Sequence, residues 1–179
     1  MKKKHRSDFK RIAVIGNAGA GKSNFSLRLH QILQLPLYHL DQYFWKPGWK
    51  EPDRSEFEKI HKQLCDTDTW IIDGMGLRFL SYRARRADVV IFLDVPRHTC
   101  FFRVFRRALT NFGKVYFSSA KGCQERGPDC KFLRYIWSFN KKRVPHIYDA
   151  MCSHADTTEF IVIKNDRELQ ELIERFKSK

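Results

Sequence analysis

Gly16-Asn17-Ala18-Gly19-Ala20-Gly21-Lys22-Ser23 fits the pattern Gly, four residues, Gly-Lys-Ser/Thr, and it decides how the rest of the chain reads. Before it, Arg11-Ile12-Ala13-Val14-Ile15 is a short apolar run that reads as a buried strand. After it, the stretch from Asn24 to Leu33 puts its apolar residues Phe25, Leu29, Ile32 and Leu33 on one helical face. Strand, loop and helix in that order distinguish a phosphate-binding loop from a chance match. The glycines allow a tight turn and present N–H groups to phosphate oxygens without a Cβ in the way. The helix that the loop opens adds unpaired N–H groups and positive potential. Lys22 can then reach the β- and γ-phosphates of a nucleotide, and the Ser23 hydroxyl can ligate the Mg²⁺ between them. The phosphate-binding set runs from Gly16 through Asn24.

The chain of 179 residues suits one domain with a full core, over 1–179. Its apolar content of 42% is that of an ordinary soluble protein, and no stretch nears the roughly 18 apolar residues of a membrane helix. The basic start, Met1-Lys2-Lys3-Lys4-His5-Arg6, runs into the first strand without an apolar signal core, so no secretion signal is read. The five cysteines, Cys65, Cys100, Cys123, Cys130 and Cys152, are odd in number and scattered, which argues against a disulfide framework, and the phosphate-loop motif argues for a reducing cytoplasm. Cys123 and Cys130 are either two thiols in a Gly-rich segment or half of a zinc site, which needs closer pairs and four ligands. The formal charge of +14 suits a grip on an anionic nucleotide and acceptor, and also a salt-dependent attraction to nucleic acid.

Apolar runs at 11–15, 37–40, 70–73, 89–93 and 160–163 alternate with helical stretches near 22–34, 53–66, 77–86, 97–110, 130–150 and 166–177. Strands this short between helices predict an α/β fold in three layers, a five-stranded parallel sheet with helices on both faces. In such sheets ligands bind beyond the carboxyl ends of the strands. That rule points to Asp41, Asp73 and Asp94 beside the phosphate loop. Asp94, just before Val95-Pro96, could instead cap the next helix, and Asp41 could be a turn residue. Asp73 before Gly74 is suited to Mg²⁺ and its waters near Ser23.

Asp41 opens an aromatic loop with Tyr43, Phe44, Trp45 and Trp49. The rings either form an acceptor pocket or fold back on the 53–66 helix. Asp53 with Glu56 three residues on reads as a variant capping box. From Asn111 to Asp129, Gly113, Ser118, Ser119, Gly122 and Gly127-Pro128 break any long helix, while Lys114, Lys121 and Arg126 keep the stretch basic. It is a surface loop or a lid, and closure of a basic lid would exclude water around a transferring phosphoryl group.

These residues resemble the adenylate-kinase-like P-loop kinases, and more closely the bacterial topology modulation proteins, which are adenylate-kinase-related. The resemblance runs from about Lys10 onward. It rests on Tyr38-His39-Leu40-Asp41, Phe44-Trp45-Lys46-Pro47-Gly48-Trp49, Trp70-Ile71-Ile72-Asp73-Gly74 and Ile91-Phe92-Leu93-Asp94-Val95-Pro96. It continues from Gly122-Cys123-Gln124-Glu125-Arg126 to Phe132-Leu133-Arg134-Tyr135-Ile136-Trp137. The resemblance implies a three-layer P-loop fold with an acceptor side at about 41–66 and a small lid at about 111–130. It implies that Asp73 organises magnesium-bound water, that Arg103 and Arg107 border adenine and phosphates, and that Arg126 and Arg134 close on the moving phosphoryl group. The spacing of four places Arg103 and Arg107 on one helix face. Asp41 lies where related kinases contact the acceptor. Where adenylate kinases have Phe-Pro-Arg after Asp-Gly, this chain has Met75-Gly76-Leu77, so the likeness stops short of the acceptor nucleotide.

The expectation is an ATP- and Mg²⁺-dependent phosphotransferase in the cytoplasm, acting on a small acceptor, with no membrane partner, as monomer or homodimer. A nucleotide-dependent nucleic-acid-binding protein is the alternative. No helix-turn-helix, zinc finger or RNA-binding signature accompanies the charge.

Overall fold

The computed structural model describes residues 9–177, so the basic arm at Met1–Arg6 lies outside the described residues. The strands are β1 (Arg11–Gly16), β2 (Leu37–His39), β3 (Trp70–Asp73), β4 (Val89–Leu93) and β5 (Glu159–Ile163). They form one parallel sheet in the order β2-β3-β1-β4-β5, with Ile12 opposite Ile71 on one side and Val89 on the other. The helices are α1 (Lys22–Leu33), α2 (Leu40–Phe44), α3 (Arg54–Asp66), α4 (Leu80–Arg86), α5 (Arg97–Thr110), α6 (Cys130–Lys142), α7 (Val144–Ser153) and α8 (Asp166–Lys177). This is the three-layer α/β architecture predicted above.

Each strand alternates between two apolar faces. Ile12, Val14, Ile71, Val89, Ile91 and Leu93 pack with Phe25 and Leu29 of α1, Cys100 and Val104 of α5, and Ile173 and Phe176 of α8. Ala13, Ile15, Trp70, Ile72, Val90 and Phe92 pack with Phe57 of α3, Leu80 of α4 and Ile147 of α7. Both faces are apolar because helices cover both, which is the condition under which parallel strands lose their polar side.

Several boundaries differ from the sequence reading, each for a local reason. The helix expected over 130–150 is two helices that break at Arg143, whose φ is −121°. Pro145 has no N–H to continue the hydrogen-bond ladder of α6, and it stands in the first turn of α7, where a helix needs no amide. The helix expected over 77–86 begins as one 3₁₀ turn, Leu77–Phe79, before α4. Part of the aromatic loop is itself helical, as α2. The capping box is half formed. The Asp53 carboxylate accepts from the Ser55 and Glu56 amides, but Glu56 reaches Lys46 at 2.9 Å instead of turning back.

Candidate active site

At the carboxyl ends of β1, β2 and β3 lies a cleft of about 1190 Å³. Ala18 to Asn24 line it, and so do Asp41, Trp45, Trp49 and Asp73. Arg103, Arg107 and Arg126 line it as well, and Arg103 Nη1 donates to the Ala20 carbonyl of the loop. Gly19 makes the loop possible. It sits at φ +81°, and a Cβ there would collide with the Cys100 carbonyl oxygen of α5. Gly16 and Asn17, expected to face phosphate, do structural work instead. Gly16 pairs with Leu93 in the sheet. The Asn17 side chain is buried, accepts from the Ala18 amide and donates to the Ile136 carbonyl of α6 at 3.0 Å. It ties the phosphate loop to α6 and lies outside the cleft lining.

Lys22 donates to the Asn17 carbonyl at 2.9 Å, so its ammonium is held back against its own loop. Burial lowers its pKa, and the carboxylates of Asp73 and Asp41 act against that shift. Asp41 is shifted the other way. Desolvation holds its carboxyl above the usual range although solvent reaches it through the open cleft, and Lys22 opposes the shift. Lys22 and Asp41 are thus shifted by burial and opposed by each other, with the Asp73 carboxylate acting on both. Asp73 has its Oδ2 held by His39 Nδ1 at 2.8 Å, with both side chains buried. β2 and β3 are neighbours that pair His39 with Asp73 in register, and this brings the two together. Gly74, at φ +133°, then turns the chain against Leu40, where a Cβ would sit 2.7 Å from the Leu40 Cβ.

Hard oxygen donors are what Mg²⁺ prefers, and it keeps waters and substrate phosphate oxygens in its shell. Ser23 and Asp73 both line the cleft, and His39 leaves only one carboxylate oxygen of Asp73 engaged. That donor set fits such an ion.

The arginines are spread unequally. Arg103 donates from Nη2 to the Asp166 carboxylate at 2.6 and 2.9 Å. The Arg107 Nε lies 3.1 Å from a Glu125 carboxylate oxygen, and its guanidinium covers the Tyr116 ring. Arg126 is exposed at the cleft rim and makes no ion pair among the described residues. Arg134, expected beside it, is exposed on α6 and does not line the cleft, where Lys131, Phe132 and Tyr135 stand instead. A helix presents only some positions of each turn to a given neighbour, and the anchoring of α6 by Ile136 and Phe139 turns Arg134 away. Asp94 also departs from expectation. It neither lines the cleft nor caps α5, whose N-terminal residue is preceded by Pro96 without a side-chain cap.

The aromatic loop meets both of its readings. Phe44 folds back on Phe57 of α3 at a ring separation of 4.9 Å, and both rings line the cleft together with Trp45 and Trp49. The loop is also fastened to segment 111–129. Gln42 donates to the Phe117 carbonyl, Trp49 Nε1 to the Gln124 carbonyl at 2.8 Å, and the Gly48 amide to the Gly122 carbonyl. The Cys123 thiol, buried, donates to the Lys46 carbonyl, whereas Cys130 is exposed at the start of α6.

Sequence reasoning passed over three contributors. Glu125 is a buried acid in a stretch that reads as polar loop, and only its pairing with Arg107 explains it. Tyr116 covers Arg107 and approaches Asn24 at 3.5 Å. Arg83 of α4 is fully buried, and burial pulls its guanidinium down to about 10. It donates to the carbonyls of Gly74 and Met75 at 2.9 and 3.0 Å and so braces the floor of the cleft from behind. A run of Arg83, Arg85 and Arg86 gives no sign of which one turns inward.

No family model matches the chain, and no curated protein sequence does. Solved structures do match in fold. A shikimate kinase from Acinetobacter baumannii, solved with shikimate, aligns with a TM-score of 0.58 at 14% identity, over 94% of this chain and 91% of that one. One from Bacteroides thetaiotaomicron aligns at 0.57 and 16%, over 94% and 97%. A gluconokinase from Sinorhizobium meliloti 1021 aligns at 0.51 and 13%, over 94% and 90%. The fold is that of the P-loop kinases.

Proposed function

We propose that the protein is a phosphotransferase that moves the γ-phosphoryl group of ATP to a small-molecule acceptor in the 1190 Å³ cleft. The observation that carries this is the convergence of the phosphate loop, Lys22, Asp41, Asp73 and three arginines on that one cleft. P-loop kinases matched in fold act on small molecules, as their names state.

In this reading the loop amides from Ala18 to Ser23 and the Lys22 ammonium hold the phosphates, and Asn24 borders them. Ser23 and Asp73 hold Mg²⁺ and its waters, with His39 fixing the Asp73 carboxylate. Mg²⁺, when bound, neutralises charge building on the phosphate oxygens. Arg103 and Arg107 flank the donor, and Arg126 adds positive charge from segment 111–129, which serves as the lid. Asp41 orients the acceptor hydroxyl and accepts its proton as the acceptor oxygen bonds to phosphorus and the ADP oxygen leaves. A carboxylate raised above its usual range is the better base for that step. The acceptor side comprises about 41–66, with Trp45 and Trp49 as walls.

ADP release measured across nucleotides, nucleosides, sugars and hydroxylated carboxylic acids identifies the acceptor class as the one that stimulates release. Lys22→Ala, shown to be folded by circular dichroism, should lower that stimulated rate about a hundredfold or more. An undiminished rate in the folded variant would sink the proposal.

A further inference from the structure

The outer face of α5 has no part in the cleft. Cys100, Val104 and Ala108 bury one side of the helix, and Arg103 and Arg107 face the cleft. The side away from both carries Phe102, Phe105 and Leu109, exposed by 66%, 37% and 81%. The stripe continues past the helix end with Phe112 at 70%. Spacings of three and four keep these residues on one side. Beside them on α6 stands Trp137, 53% exposed, joined to the stripe through Phe101. Soluble proteins seldom leave contiguous apolar side chains like these in water without a use for them.

Charge selects what covers the stripe. From Arg97 to Arg143 the chain holds twelve lysines and arginines against Glu125 and Asp129, so this quarter of the sequence carries +10 of the total +14. Glu125 is buried against Arg107, and the Asp129 carboxylate caps α6. α5 and α6 contain no acid at all. Arg97 lies over the Trp137 ring at 4.1 Å, and Arg134 and Lys141 sit one helical turn before and after Trp137. A second copy of this chain would press two such basic faces together, which like-charge repulsion opposes. Single-stranded nucleic acid would satisfy the cations and could stack on rings, but it offers no hydrocarbon to Leu109. An anionic bilayer surface satisfies both demands. Phe, Leu and Trp enter the boundary of headgroups and acyl chains while arginine and lysine stay among the headgroups.

We infer that the α5–α6 face docks the protein on anionic lipid surfaces, with Phe102, Leu109 and Phe112 entering the lipid and Arg97, Arg134 and Lys141 at the headgroups. No helix of the described residues is long and apolar enough to cross a membrane, so the association is peripheral. None of its residues lines the cleft, and Phe102 and Leu109, which carry the test, lie outside segment 111–129 as well.

Co-sedimentation of the full chain with vesicles tests it. Vesicles of phosphatidylcholine with about a quarter phosphatidylglycerol should bind the protein, and pure phosphatidylcholine should not. Phe102→Ser with Leu109→Ser should weaken binding about tenfold or more without lowering the melting temperature. Arg134→Gln with Lys141→Gln should weaken it as well. Absence of binding to the anionic vesicles would overturn the inference. So would binding that the serine pair leaves intact, which is adsorption of a cationic protein by charge alone. A thymidine oligonucleotide that binds and is lost with the serine pair would mark the face as a nucleic-acid site instead. A dimer in sedimentation equilibrium that dissociates in the serine variant would mark it as a self-interface.

Discussion

His61 shows what burial does to a single side chain. It is fully buried among Phe57, Phe79 and Tyr82, and desolvation, aided by the Arg83 cation, drives its pKa to about 3. The fold therefore holds it neutral. Above its ordinary value of 6.5 both folded and unfolded chains carry a neutral ring, and its contribution is complete. Below that value the unfolded chain takes up a proton that the folded one refuses until about pH 3, so stability drains away as pH falls through that window. Between pH 7 and 5 this amounts to about 2 kcal/mol. Denaturant titrations at the two pH values should give His61→Asn a shallower loss than the native chain by roughly that amount. An equal loss in both would mean that His61 does not supply the proton uptake. Arg83, in contact with the same cluster electrostatically, keeps its charge at neutral pH because its value of about 10 still lies above it. Its two bonds to the Gly74 and Met75 carbonyls, both from Nη2, satisfy part of that buried cation, while Nε and Nη1 find no hydrogen-bond partner among the described residues.

At the scale of elements, the link between the aromatic loop and segment 111–129 matters most. In the fold this segment closes on itself, with the Gly113 amide donating to the Glu125 carbonyl and the Glu125 amide to the Lys114 carbonyl. It then takes hydrogen bonds from Gln42, Gly48 and Trp49. Two segments that both line one cleft are thus fastened to each other, and they should open and close together. Trp49→Phe keeps the ring and removes the bond to Gln124. Hydrogen exchange should then quicken in 111–129 as well as in 41–50, by about fivefold, the worth of one hydrogen bond of roughly 1 kcal/mol. Faster exchange confined to the loop around Trp49 would show that the two segments move independently.

Over the whole molecule, two core clusters lie back to back on one sheet. Ile71 belongs to one and Ile72 to the other, and they are adjacent in β3. Neither cluster can lose its strands without the other losing them too. Ile71→Ala and Ile72→Ala should each cost about 2–5 kcal/mol and shift the same transition. Circular dichroism and tryptophan fluorescence should trace coincident unfolding curves in both variants, and separated curves would mean that the faces melt apart. Charge has its own distribution at this scale, since the segment 97–143 carries most of the excess and is also the segment with the most exposed rings.

The amino-acid pattern by itself determined the strands to within a residue or two, their parallel arrangement and the phosphate loop. These follow from short-range rules, since apolar alternation, glycine placement and the strand-loop-helix order are written along consecutive residues. The break at Arg143 was not read from the pattern, because the apolar spacing runs on through Pro145 and a proline near the start of a helix is as acceptable as one after its end. Only the tertiary structure decided the rest of the candidate site. It turned Arg134 and Asp94 away from the cleft, brought His39 to Asp73 across neighbouring strands, buried Glu125 under Arg107, and sent Arg83 rather than Arg85 or Arg86 behind Gly74. Each of those outcomes depends on which face of an element packs inward and on what lies beside it in space. Sequence order fixes neither, because the helical phase of α4 and α6 is set by the core they join.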